Sequence, residues 1–172
     1  MCAHGRRREV CVECSPLGNL WARVRSATRR GLAAGREGRR SRTHEVVGCS
    51  REHARAFIDA KMRAWNASHA EKMTLANVHI DHIKPLSSSR LGDASPAAFA
   101  RLCHYTNLQP LLLHDNERKS DRWSADDEAA WLRIAGNPDA TGIYWPVACG
   151  PLNAAGLGWE GLHLFAGVAL EA

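Results

Sequence analysis

After the segment "VVGCS", apolar positions recur at helical spacing. Ala54, Ile58, Met62 and Trp65 fall on one stripe with Phe57 beside it, while Arg51, Arg55, Asp59 and Arg63 lie elsewhere. Ser50 is a good N-cap, so the pattern predicts a core-packing helix with a basic back. The period then changes from 3.6 to 2. "VHIDHI", at positions 78–83, alternates between two faces and is rich in β-branched residues, which predicts a strand that Pro85 ends. Ser95 and Pro96 read as N-cap and first residue of a short helix through "AAFARLC". "NLQPLLL" suits a second strand, with Pro110 at an edge or irregular position. "DNERKSDRW" opens a further helix, with an acid and an amide in its first turn. In "SADDEAAWLRIAG", Ser124 and Asp127 fit the N-cap and third position of a capping box, Asp standing in for the preferred Glu. Upstream, Leu20, Val24 and Ala27 share the apolar face of a short basic helix that should end near Gly31 or Gly35.

These elements predict an α+β fold in three parts: an arm over 1–45, a domain over 46–135, and a tail over 136–172. The chain's 172 residues suffice for one compact domain. Its formal charge of +5 hides a strong asymmetry. Residues 6–42 carry eleven Arg and three Glu, a net of +8, which leaves about −3 for the remainder. The basicity therefore belongs to the arm, where Arg29, Arg30, Arg39 and Arg40 are candidates for contact with a polyanion such as double-stranded DNA. From Gly136 onward, 37 residues contain no Lys or Arg, seven of the fourteen Gly and three Pro, so the tail should be weakly structured or laid on the core as a flap. No apolar run reaches the roughly 18–20 residues needed to cross a bilayer, and the first 20 residues lack the apolar stretch of a signal peptide. A cytoplasmic protein is expected, with six Cys that are reduced or bind metal.

The predicted order of strand, loop, strand and helix carries the chemistry. Folded as an antiparallel hairpin closed by a helix, it would turn Asp81 and His82 toward Asn116. A carboxylate and an amide oxygen are hard ligands suited to Mg²⁺. A neutral histidine, with an unperturbed pKa of about 6.5, can take a proton from water. Those parts suffice for a one-metal phosphodiesterase.

"IDHIKPL" followed by "HYTNLQPLLLHDNERKSDRW", with "VVGCSREHARAFIDAKMRAWNAS" ahead of them, resembles the HNH endonucleases of the ββα-metal or His-Me finger group, in particular the small phage-type proteins. The resemblance covers about residues 46–123. It implies a ββα-metal hairpin of two antiparallel strands and a closing helix. It assigns His82 as general base, Asp81 and Asn116 as ligands of Mg²⁺ or Mn²⁺, and Asn107 as the residue that orients the base. Arg118 and Lys119 match basic positions that approach a phosphate, and the implied reaction leaves 5′-phosphate and 3′-hydroxyl ends on DNA. No Cys pairs flank the second strand, unlike the zinc-bearing members. His79, on the Asp81 face, is expected to support the site from behind or to pack.

Two other classes compete with this expectation: a DNA-binding protein whose nuclease site has decayed, and a nuclease acting on structured RNA, since a phosphate-directed site does not itself sense the 2′-hydroxyl. At the N-terminus, Cys11 and Cys14 have metal-ligand spacing, and Cys2 and His4 could complete a zinc set. Such pairs arise often by chance, so the balance of expectation is against structural Zn²⁺. Target sequence, oligomeric state and the number of strands cut are not encoded in these motifs.

Overall fold

The computed structural model of the chain describes residues 1–5, 7, 11, 21–26, 43–90, 96–139 and 142–149. Its regular elements are helix α1 (Thr43–Val47), helix α2 (Arg51–Ser68), strand β1 (Val78–His82), helix α3 (Pro96–Cys103), strand β2 (Leu108–Leu112), helix α4 (Leu113–Lys119) and helix α5 (Ala125–Ile134). Short 3-10 turns cover Leu86–Arg90, Tyr105–Asn107 and Val147–Cys149. The class is α+β, with an antiparallel two-stranded sheet.

Helix α2 starts as its sequence predicts. The Ser50 side chain accepts a hydrogen bond from the His53 amide, and Ala54, Phe57, Ile58, Met62 and Trp65 are buried. Each large member of this stripe contributes about 1.5–3 kcal/mol by leaving water. The preceding helix α1 was not anticipated, and it ends at Gly48, whose φ is +76° and whose amide donates to His44 O at 3.0 Å. A Cβ at Gly48 would also meet the His104 ring at 2.5 Å, so glycine is needed there for both conformation and space.

Strand register runs from Val78 opposite Leu112 to His82 opposite Leu108. Paired residues share a face. Val78, Ile80 and His82 therefore lie on the face of Leu108, Pro110 and Leu112, while His79 and Asp81 lie with Leu111 and Gln109 on the other. Val78, Ile80, Leu108 and Leu112 join α2 in the main core. Pro110 is accommodated because both strands of a two-stranded sheet are edges. A second, smaller core gathers Ile83, Leu102, Ala130, Trp131, Ile134 and Tyr144.

Packing extends beyond 46–135 at both ends. Residues 21–26 are helical, Val24 is buried in the main core, and the Arg23 guanidinium donates to the carbonyls of Val78 and Leu75. Residues 142–149 form a strap over the second sheet face, with Ile143, Tyr144 and Trp145 all buried. The sequence left the tail either weakly structured or laid on the core, and these eight positions pack on the core. Leu20, Ala27, the predicted end of the arm helix, and the tail from Gly150 onward lie outside the described residues, as do Arg29, Arg30, Arg39 and Arg40. Among the described residues, no helix is long and apolar enough to cross a membrane.

Candidate active site

Helix α4 follows β2 without a loop and lies along the His79 and Asp81 face. This produces two successive contacts. Asn116 Nδ2 and His79 Nδ1 are 3.3 Å apart, and three residues further along the helix Lys119 Nζ lies 3.0 Å from Asp81 Oδ2. Lys119 also donates to His82 O at 2.9 Å, which ties the end of β1 to the helix. Spacing of three on a helix matches spacing of two on a strand closely enough for both pairs to form.

Asp81 is only 13 % exposed in its side chain. Burial pushes its carboxyl above the usual range, and the Lys119 ammonium with a Gln109 amide bond at 3.3 Å works in the opposite direction. Gln109, wholly buried, is itself fixed by the strap: its amide nitrogen donates to Tyr144 O at 3.0 Å and its oxygen accepts from Tyr144 N at 2.8 Å.

His82 departs from the expectation that it and Asp81 would both face Asn116. Neighbours on a strand leave on opposite faces, and His82 is on the Val78 and Ile80 side, 7 % exposed. It is the last residue of the strand, where the following backbone turns away.

Asn107 shapes that turn. Its side-chain oxygen accepts from Lys84 N at 2.9 Å and from Trp131 Nε1 at 2.7 Å, and its amide donates to Leu102 O at 2.7 Å and Lys84 O at 3.2 Å. Its own carbonyl accepts from Ile83 N at 2.7 Å. Asn107 therefore joins the segment after His82 to α3 and α5, acting on backbone rather than through the imidazole. Lys84, paired with Glu128 at 2.6 Å and over the Trp131 ring at 4.6 Å, belongs to the same clamp.

Lys119 requires a correction. The resemblance implied that it approaches a phosphate, but it is wholly buried, drawn inward by Asp81 and the His82 carbonyl. Arg118, one position earlier, is exposed; its guanidinium stands 5.5 Å from the Trp145 ring and donates to Cys149 O at 3.4 Å. The predicted basic pair thus splits into an interior cation and a surface one. His79 was anticipated as a supporting residue and is in contact with Asn116. Gln109 was missed, although an amide inside an otherwise apolar strand was the available signal.

Asp81 and the Asn116 carbonyl oxygen are hard donors of the kind a small divalent cation takes, and Lys119 at present balances the Asp81 charge. A second, unrelated group of ligand atoms lies at the N-terminus, where those of Cys2, His4 and Cys11 are all within 4.8 Å of one another. Cys14 lies outside the described residues. No protein-family model matches the chain, and neither the search of curated proteins nor that of solved structures found a match.

Proposed function

We propose that the chain is an HNH-type endonuclease hydrolysing DNA phosphodiester bonds with a divalent metal ion, Mg²⁺ or Mn²⁺. The observation that carries the reading is the pair of contacts between β1 and α4, Asp81 with Lys119 and His79 with Asn116, on the strand that ends at His82. Asp81 and Asn116 would hold the ion, with His79 orienting the Asn116 amide through its nitrogen so that the oxygen is the end offered to a cation. Such an ion supplies electrostatic stabilisation of charge developing on a phosphodiester. His82 would take the proton from the attacking water. Its backbone is held by the Lys119 bond to its carbonyl and by the Asn107 clamp on the next two residues. The reading requires its ring, buried on the other sheet face, to swing toward Asp81. Arg118 offers an exposed cation to the polyanion, and the arginine-rich arm adds affinity that weakens with salt.

A second reading is DNA binding without cleavage. It draws on the Asp81–Lys119 contact, since a lysine already neutralises the carboxylate that would hold the ion. Incubating supercoiled plasmid with the protein in Mg²⁺, in EDTA, and as the His82→Ala variant separates the two. Nicking that needs Mg²⁺ and is lost in the variant supports the nuclease; binding of plasmid with no metal-dependent nicking by the wild type removes it. Parallel digestion of DNA and RNA of equal length decides the substrate, with preferential cutting of RNA contradicting the assignment to DNA.

A further inference from the structure

The N-terminal residues carry a grouping that the nuclease reading leaves unused. Cys2, His4 and Cys11 are separated in sequence but converge, with His4 Nδ1 4.0 Å from Cys2 Sγ and 3.5 Å from Cys11 Sγ. The backbone is built for the convergence. Gly5 N donates to Cys2 O at 3.0 Å, closing a reverse turn, and Gly5 has φ +68°, a conformation that glycine adopts without strain. The turn brings the first thiol and the imidazole together, and Cys11, wholly buried, provides the fixed third point.

We infer that Cys2, His4 and Cys11 bind a structural Zn²⁺ ion. Two thiolates and an imidazole form a soft, borderline donor set that suits zinc over the oxygen-seeking Mg²⁺. A tetrahedral ion with bonds of about 2.3 Å to sulfur and about 2.0–2.1 Å to nitrogen requires about 3.5–3.6 Å between sulfur and nitrogen and about 3.8 Å between sulfurs. The His4–Cys11 separation of 3.5 Å fits, the His4–Cys2 separation of 4.0 Å is slightly long, and the 4.8 Å bound on the whole group leaves at most about 1 Å of closure. Among the described residues, three side chains supply ligand atoms, and zinc takes four ligands in structural sites. The sequence named Cys2, His4, Cys11 and Cys14 as a possible zinc set and weighed against it; what the structure adds is the convergence of Cys2, His4 and Cys11. The ion would close the loop of residues 2–11 at the start of the arginine-rich arm. It is independent of the site at Asp81, whose donors are a carboxylate and an amide.

The test uses the untagged full chain purified under reducing conditions and stripped of loosely held metal on a chelating resin. Zinc content is measured by mass spectrometry, and Co²⁺ is then exchanged into the protein. About one equivalent of zinc per chain is expected, together with a thiolate-to-cobalt charge-transfer band and intense tetrahedral d–d absorption. His4→Ala and Cys2→Ser, at positions that are not fully buried, should weaken zinc binding by at least the about 100-fold that loss of an outer-shell partner alone can reach, while circular dichroism shows the fold retained. Asp81→Asn should leave both zinc content and the charge-transfer band unchanged, which distinguishes this site from the one at Asp81. Less than about a tenth of an equivalent of zinc in the wild type, an unaltered cobalt spectrum in both ligand variants, or a Cys2–Cys11 disulfide found by mass spectrometry under the same reducing conditions would overturn the inference.

Discussion

Asp81 and Asp127 are both carboxylates withdrawn from water, and the protein treats them in opposite ways. Asp127, wholly buried at the third position of α5, accepts from Ser124 N at 2.8 Å, Ser124 Oγ at 2.6 Å, Tyr144 Oη at 2.7 Å and Val147 N at 2.6 Å. Burial alone would raise its carboxyl, yet these donors together carry it below the ordinary range. Asp81 has one close lysine, one long amide contact and the backbone N–H of His82, and its carboxyl stays raised by burial. A carboxylate surrounded by backbone and hydroxyl donors is anchored in one state and serves architecture: Asp127 ties α5 to the strap at Tyr144 and Val147. A carboxylate neutralised mainly by one cation is suited to exchanging that cation for another. Ionising Asp81 costs the fold stability as pH rises above the unfolded carboxylate range, and a divalent ion would remove that cost.

The contrast can be broken at several points. The largest effect on stability is expected from Lys119→Met, which leaves Asp81 without its buried partner and should cost about 3–5 kcal/mol in urea unfolding. Mg²⁺ should return part of that loss and raise the midpoint of the variant more than that of the wild type. Equal shifts in the two proteins would mean that Asp81 does not take the ion. Asp127→Asn should cost about 1–3 kcal/mol through donors left unpaired. The sign of its pH dependence follows from the lowered native pKa: the contribution of Asp127 is present above the unfolded value of about 3.9 and is lost as pH falls through the native one. The variant should therefore show a flatter acid limb in melting temperature against pH, and an unchanged limb would refute the role given to this carboxylate.

Lys61 supplies a basic counterpart. Wholly buried on α2, it donates to Gly142 O at 2.6 Å, and burial pulls its ammonium down to about 7. The unfolded chain then binds more protons between about 7 and about 10.4, so stability rises with pH across that window. Lys61→Met should remove the rise, as thermal melts at several pH values would reveal. The smallest effect is expected at Ser120, which ends α4 at φ 49°, ψ −125°, a region costly for a residue with a Cβ. Ser120→Gly should stabilise by about 1 kcal/mol without altering metal-dependent cutting; a loss of stability would mean that its side chain contributes more than the strain removes.

Where a local rule decides the outcome, the sequence was legible. Ser50 capped α2, the Ser124 and Asp127 pair formed its box, and alternation in the first strand and a short apolar run in the second located both to within a residue or two at their ends. Helix α1 escaped because five residues carry too short a pattern, and its end depends on His104, distant in sequence. For the candidate site, residues could be picked out but not their pairings. Asp81, His82 and Asn116 could be named from order and spacing. That α4 turns Lys119 inward onto Asp81 follows from the angle at which the helix crosses the strand. That Asn107 grips the backbone at Lys84 depends on where α5 docks. Both are tertiary facts with no local signature.

Asp81→Asn compared with Asp127→Asn, in Mg²⁺-dependent cleavage of supercoiled plasmid at a temperature where both variants remain folded, tests the proposed nuclease most directly. Loss of the ion's ligand should slow nicking by about 100-fold or more, since a metal supplies several kcal/mol of transition-state stabilisation and each tenfold is about 1.36 kcal/mol. Asp127→Asn should cut at close to the wild-type rate despite melting earlier. Cutting by Asp81→Asn at the wild-type rate would contradict the account.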